Sequence, residues 1–228
     1  MSELAPWREV YKAAIAEIKE LVTVQLATVR PDGIPVNRTV IFSNFAGEDY
    51  KNPTEWESDL VCFTADARTD KISQIQTNPI GDICCYLAPI STQFRFMGHL
   101  HPISHKESPV FPSTNAPSHL LSHFRHVNNP AARFDWEAER DRHWTIMAPI
   151  VRAKHSWPNP GEPRANNKCL WRESLGADEE GAEEARKNFS LIVMDVKEVD
   201  IVVQTPKMFY RRRWSKEGGE WKCVELNP

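Results

Sequence analysis

Apolar residues recur three and four apart near the start of the chain, at Trp7, Tyr11, Ile15, Ile18 and Val22. That spacing puts one apolar stripe on a helix, with Arg8, Glu9, Lys12, Glu17 and Lys19 mostly outside it. At residues 22–29 (VTVQLATV) the pattern becomes strand-like, and RPDGIP turns it into a second alternating run, VNRTVIF at 36–42. The two predict a hairpin. LVCF (60–63) predicts a short buried strand, and Ile72 with Ile75 a two-turn helix stopped by Asn78-Pro79. GDICCYLA (81–88) and TQFRFMGHLHPI (92–103) predict a further antiparallel pair. Between about 104 and 187 the pattern changes: PSHLLSHFRHV and PAARFDWEAERDRHWTIM read as helices, followed by Pro-rich SWPNPGEPRANN and acidic GADEEGAEEA. Strand character returns in NFSLIVMDV (188–196) and VDIVVQ (199–204), and KMFYRRRW and EWKCVEL flank a Gly-Gly turn at 218–219 as a last hairpin.

Strands at both ends with helices inserted between them predict a mainly antiparallel β fold of the α+β kind, a barrel or sandwich. The expected organisation is one domain, 1–228, carrying a helical and loop insertion at about 104–187. With 41% apolar residues and ten phenylalanines the chain can bury a sizeable core. A net charge of −3 lacks the basic excess of a nucleic-acid binder. No apolar run reaches the roughly 18 residues of a membrane span, and the polar start MSELAPWREVYK has no signal-peptide core. No membrane partner is expected, and the expected location is the cytoplasm, with the nucleus as a second compartment. The five cysteines include no Cys-x-x-Cys pair and leave one over, so neither a zinc ribbon nor a disulfide framework is suggested.

Dinucleotide-binding, P-loop, nucleophile-elbow and His-Glu-x-x-His motifs are absent. His119, His123 and His126 fall at i, i+4 and i+7, on one face if that segment is helical, and His99 and His101 share a strand face. No cysteine or carboxylate completes either set at a telling spacing, so no metal site is expected. In RRRW (211–214) a strand would turn Arg211 and Arg213 away from Arg212, which suits one inward arginine at a single anion better than a duplex. FTADARTDK (63–71) carries two readings. Thr69 or Asp70 caps the helix that follows, or the helix start, Thr64, Arg68, Thr69 and Lys71 converge on an anion. Arg38 and Gln93, each set among apolar strand residues, tip the balance toward a cradle for one phosphate.

The order of motifs carries a resemblance. Arg-x-Val-Ile-Phe (38–42) precedes Phe-Thr-x-x-x-Arg-Thr-x-Lys (63–71) and Asn-Pro (78–79), then Gln-Phe-Arg-Phe-x-Gly (93–98) and a C-terminal Arg…Trp…Leu-x-Pro. WPNPGEPR (157–164) and FSLIVMDVKEVD (189–200) add to it. The chain resembles the pyridoxamine 5′-phosphate oxidase-like FMN-binding split-barrel family, in the branch carrying TDxRSxK and QFRxxG. The resemblance implies a split barrel, a homodimer with FMN at the interface, and hydride transfer to flavin N5. It implies Arg38 and Lys71 on the FMN phosphate, with Thr64, Arg68 and Thr69 beside it. The backbone of Thr39, Val40 and Ile41 would run along the flavin ring, and Phe63, Gln93, Arg95 and Arg211 would complete the cofactor set.

Departures fall on the substrate side. Ser43 stands where the oxidase carries a lysine for the substrate phosphate, and Lys207 and Phe209 stand where it carries an arginine and a histidine. Ile201 replaces a family tryptophan. The resemblance therefore implies an FMN-dependent oxidoreductase with an unassigned small substrate and no assigned catalytic residue. Two alternatives stay open. One is an FMN carrier or sensor; the other is a true pyridoxamine or pyridoxine 5′-phosphate oxidase taking substitute phosphate ligands such as Arg125, Arg133 or Arg164 from the insertion.

Overall fold

A computed structural model describes residues 4–19, 21–49, 54–112, 116–164, 166–206 and 208–228, without the side chains of Ser43 and Cys169. Helix α1 (Pro6–Ala16) opens the chain. β1 (Thr23–Val29) and β2 (Pro35–Phe45) form the expected hairpin, with Thr23 opposite Ile41 and Val29 opposite Pro35. After β3 (Trp56–Ser58), β4 (Val61–Asp66) pairs with β2 and leads into α2 (Asp70–Thr77). β5 (Ile80–Leu87) and β6 (Thr92–Ser104) pair with one another, and β5 pairs with β1.

The inserted segment carries β7 (Phe124–His126), α3 (Trp136–Ile146), α4 (Pro149–Ala153) and α5 (Ala182–Lys187). β8 (Phe189–Thr205) then bonds to β4 on one side and β6 on the other. The ring β8-β4-β2-β1-β5-β6 is thereby closed into a six-stranded antiparallel barrel, the split-barrel architecture. β9 (Met208–Glu217) and β10 (Glu220–Leu226) extend from β8.

Two cores follow from strand alternation. Inside the barrel, Phe63, Phe94, Phe96, Leu26, Ile83 and Met194 are buried. α1 plugs one end, its Trp7 touching Phe45, Phe96 and Trp221 and its Tyr11 touching Phe42, Phe94 and Phe96 edge-on. On the outer face, Leu60, Cys62, Ile103, Leu191 and Val193 form a second core with Trp136 and Trp144 of the insertion. One glycine permits the β6–β8 contact: a Cβ on Gly98 would lie 2.2 Å from the Asp195 carbonyl oxygen, at the register shift between Met97 and Gly98.

The structure corrects several expected elements. α1 ends at Ala16, although Ile18 and Val22 still pack on the barrel core. PSHLLSHFRHV is not an α-helix. Ser118–His123 is a 3₁₀ turn, and Phe124–His126 pairs with β3 in a separate two-stranded sheet, so the three histidines do not share a helical face. The strands expected at 188–196 and 199–204 are one continuous strand, β8. Thr69 occupies the N-cap position of α2, but its hydroxyl donates to the Asp66 carbonyl instead of accepting from the helix.

Candidate functional site

The end of β4 and the start of α2 face the middle of β2 across a cleft of about 1040 Å³. Arg38, Thr39, Val40, Ile41, Thr64, Thr69 and Lys71 all line it. That volume is at the upper end of the range for cofactor-sized ligands, about 300–1,000 Å³. The opposite wall comes from the insertion: Ile150 and Val151 of α4, then Lys154, His155 and residues 157–162 with Arg164 and Trp171–Glu173.

Two cations meet at the β2–α2 corner. Arg38 is half-buried; its Nη1 donates to Thr28 Oγ1 at 2.6 Å and to the Leu26 carbonyl at 3.2 Å, and its Nη2 donates to Gln74 Oε1 at 2.9 Å. Lys71 Nζ donates to Thr69 Oγ1 at 2.8 Å. Among the described residues neither cation has a carboxylate at ion-pair distance. Burial and the neighbouring Arg38 charge push the Lys71 ammonium down to about 8, only partly offset by Asp66 and Asp70. Burial also lowers Arg38, against the pull of Asp70. Two desolvated cations side by side are a cost that an anion between them would offset. The first-turn N–H groups of α2 add positive potential at the same corner. The donor set suits a phosphate ester, and the apolar wall of Val40, Ile150, Val151 and Trp157 suits an aromatic body attached to it.

Other expected residues lie elsewhere. Arg68 does not line the cleft: its guanidinium is held by both Asp66 oxygens, Nε–Oδ1 at 3.0 Å and Nη2–Oδ2 at 2.7 Å, and donates to the Trp157 carbonyl at 2.8 Å. It anchors the wall formed by residues 155–159. Phe63 is fully buried in the barrel core, so its ring does not reach the cleft. Gln93, Arg95 and Arg211 line a separate hollow of about 300 Å³ with Tyr86 and Pro228.

There, buried Asp200 takes Arg211 Nη2 at 2.8 Å, Arg213 Nη2 at 2.8 Å and Arg95 Nη2 at 3.2 Å, while Arg212 turns away to Glu225. Burial alone would raise the Asp200 carboxyl; the bonds from Arg211 and Arg213 and the Arg95 charge bring it below its ordinary value. Among the substrate candidates, Phe209 is 64% exposed on β9. Lys207 and the Ser43 side chain lie outside the described residues. Of the three substitute arginines, Arg164 lines the cleft and stacks on Trp171, whereas Arg125 pairs with Glu57 on the β3–β7 ribbon. Arg133 is exposed and lines no part of the cleft.

Beyond Arg164, sequence reasoning missed the insertion's contribution to the site. Trp157, His155, Lys154 and Trp171 line the cleft, and only the three prolines of 157–164 hinted at an ordered loop.

Comparison with known proteins adds four findings. Residues 4–104 match the family model described as pyridoxamine 5′-phosphate oxidase, FMN-binding domain. The chain is 23% identical over 233 residues to pyridoxine/pyridoxamine 5′-phosphate oxidase 2 of Arabidopsis thaliana, covering 100% of this chain and 99% of that one. The crystal structure of a pyridoxamine 5′-phosphate oxidase-related, FMN-binding protein from Nostoc punctiforme is 26% identical, with a TM-score of 0.74 and full coverage of both chains. PhzG from Burkholderia lata, solved with tetrahydrophenazine-1-carboxylic acid, shares the fold at 16% identity and a TM-score of 0.63, covering 100% of this chain and 99% of that one.

Proposed function

We propose, on the match of residues 4–104 to the pyridoxamine 5′-phosphate oxidase FMN-binding domain model, that this protein is a flavoprotein of that family holding FMN in the cleft between β2, β4, α2 and the insertion. The observation that carries the reading is the Arg38–Lys71 pair, two desolvated cations without a carboxylate partner among the described residues, beside the hydroxyls of Thr64 and Thr69. Arg38 and Lys71 take the phosphate, while the backbone of Thr39–Ile41 and the apolar wall orient the ring. FMN, when bound, supplies the hydride-accepting chemistry, and the chain supplies binding, orientation and exclusion of water.

Gln93, Arg95 and Arg211 lie on a second face of the same chain. In a homodimer, a second copy would bring that face to the ring end of the first copy's cleft. The activity we assign is oxidation of a small substrate, in keeping with the oxidase name of the Arabidopsis relative. One observation favours a phosphorylated B6 vitamer as that substrate: Lys154 and Arg164 line the inserted wall, cations in place of those missing from the family's substrate positions.

Titration of the apoprotein with FMN tests the core of the reading, with saturable quenching of flavin fluorescence at one FMN per chain as the expected result. Absence of saturation would overturn it. Anaerobic photoreduction followed by air then separates oxidase from carrier: rapid reoxidation with peroxide release is expected, and a flavin that resists reduction would leave only a carrier. Turnover of pyridoxine 5′-phosphate to the aldehyde tests the vitamer assignment.

A further inference from the structure

A second cluster of ionisable groups lies on the outer face of the barrel, and none of its residues lines the cleft. β6 and β8 pair His99 with Asp195 and His101 with Val193, which sets His101 and Asp195 on one sheet face. The 3₁₀ turn Ser118–His123 lays His119 and His123 over that face. Ligand-capable atoms of His101, His119 and Asp195 all lie within 4.8 Å of one another. The carboxylate that neither histidine set could find along the sequence comes from the far strand.

Two of these atoms have nothing to bond. The Asp195 side chain is 1% exposed, and its Oδ1 has no hydrogen-bond partner among the described residues; nor does buried His101 Nε2. Lys197 serves the other oxygen, Oδ2, at 2.6 Å. His123 brings Nε2 to 3.5 Å from Oδ1, while its Nδ1 sits 2.6 Å from Asp59 Oδ1. The 3.5 Å separation from Asp195 is longer than a good hydrogen bond. A contact from His123 to Oδ1 still leaves His101 Nε2 orphaned. His119 Nε2 lies 3.6 Å from Asp195 Oδ2, and a cation set among the three residues would take His101 Nε2 together with the carboxylate.

We propose that His101, His119 and Asp195 bind a divalent transition metal of the zinc class, with His123, held by Asp59, buttressing the carboxylate. Two imidazoles and a carboxylate are zinc-type donors and leave a fourth position for water. His119, 58% exposed, opens the site to solvent and supplies the entry path. The Asp59–His123–Asp195 chain has the form of the carboxylate and imidazole groups that orient metal ligands from behind.

The test is a Co²⁺ titration of the metal-free full-length protein, following the visible absorption of four-coordinate cobalt, with Zn²⁺ as competitor. One Co²⁺ per chain, displaced by Zn²⁺, is expected. His119→Ala, at a side chain 58% exposed, should weaken binding by about 100-fold, and Asp59→Asn by about 10- to 100-fold. His126→Ala, at a histidine beside Glu55 on the small ribbon, should leave binding unchanged. Circular dichroism of each variant reports folding. No saturable cobalt spectrum in the wild type, or an unchanged spectrum and affinity in His119→Ala, would overturn the site. Neither readout involves flavin, so the proposal stands or falls apart from the FMN assignment.

Discussion

Lys71 is the residue whose state most depends on what occupies the cleft. Its ammonium sits at about 8 in the free protein because burial and Arg38 both disfavour the charge. A phosphate beside it reverses that preference and raises the value. Affinity for FMN is therefore greatest when Lys71 is already protonated and falls as pH rises through about 8, by up to tenfold per unit. Flavin titrations between pH 7 and 10 should show this decline in the wild type and lose it in Lys71→Met. In the unfolded chain Lys71 titrates near 10.4, so this group's contribution to stability without ligand improves between about 8 and 10.4.

The double variant Arg38→Ala/Lys71→Ala should lose FMN binding by at least about a hundredfold, at about 1.5–3 kcal/mol per charged hydrogen bond. Its fold should survive, because Thr28 Oγ1 still donates to Gln74 Oε1 at 2.6 Å without the arginine. Equilibrium dialysis and a thermal melt measure the two halves of that expectation.

At the scale of elements, the insertion owes its place over the cleft to a few anchors, of which Arg68 is the plainest. It ties the end of β4, through Asp66, to the carbonyls of His155 and Trp157. Arg68→Ala should raise hydrogen exchange across residues 154–162 and weaken FMN binding less than the Arg38/Lys71 pair does. Exchange that stays at the wild-type level would remove Arg68 from this role. The composition of FTADARTDK gave the residue types but not their directions: Lys71 points to the cleft corner and Arg68 along the wall, a distinction made by the path of a segment some ninety residues away.

The barrel strands were legible because alternation is a local consequence of burying one face. Residues 118–126 misled because Leu120, Leu121 and the histidines repeat at helical spacing, while Phe124 is drawn into a pair with β3 and stacks on Phe134 at 3.7 Å. Tertiary packing outweighed propensity there. The metal-type cluster was invisible for a related reason, since only the β6–β8 register brings Asp195 to the histidines.

For the molecule as a whole, the residues proposed to hold the cofactor fall on two faces and the barrel closes through one strand. β8 is the partner of both β4 and β6, and it follows the entire insertion in sequence. A chain emerging from the ribosome therefore presents an open sheet, β4-β2-β1-β5-β6, until residue 189 and beyond are free. Both outer strands of that sheet expose unpaired backbone groups and the aromatic interior at once, a template for aggregation. A truncation ending at residue 188 should precipitate or bind holdase chaperones, whereas removal of β10 alone, an edge strand, should leave a soluble barrel; ultracentrifugation of the two would separate these outcomes. The late arrival of β8 thus makes biosynthesis, rather than the finished protein, the stage at which this architecture is most vulnerable, and premature termination anywhere in the insertion would release a species prone to self-association.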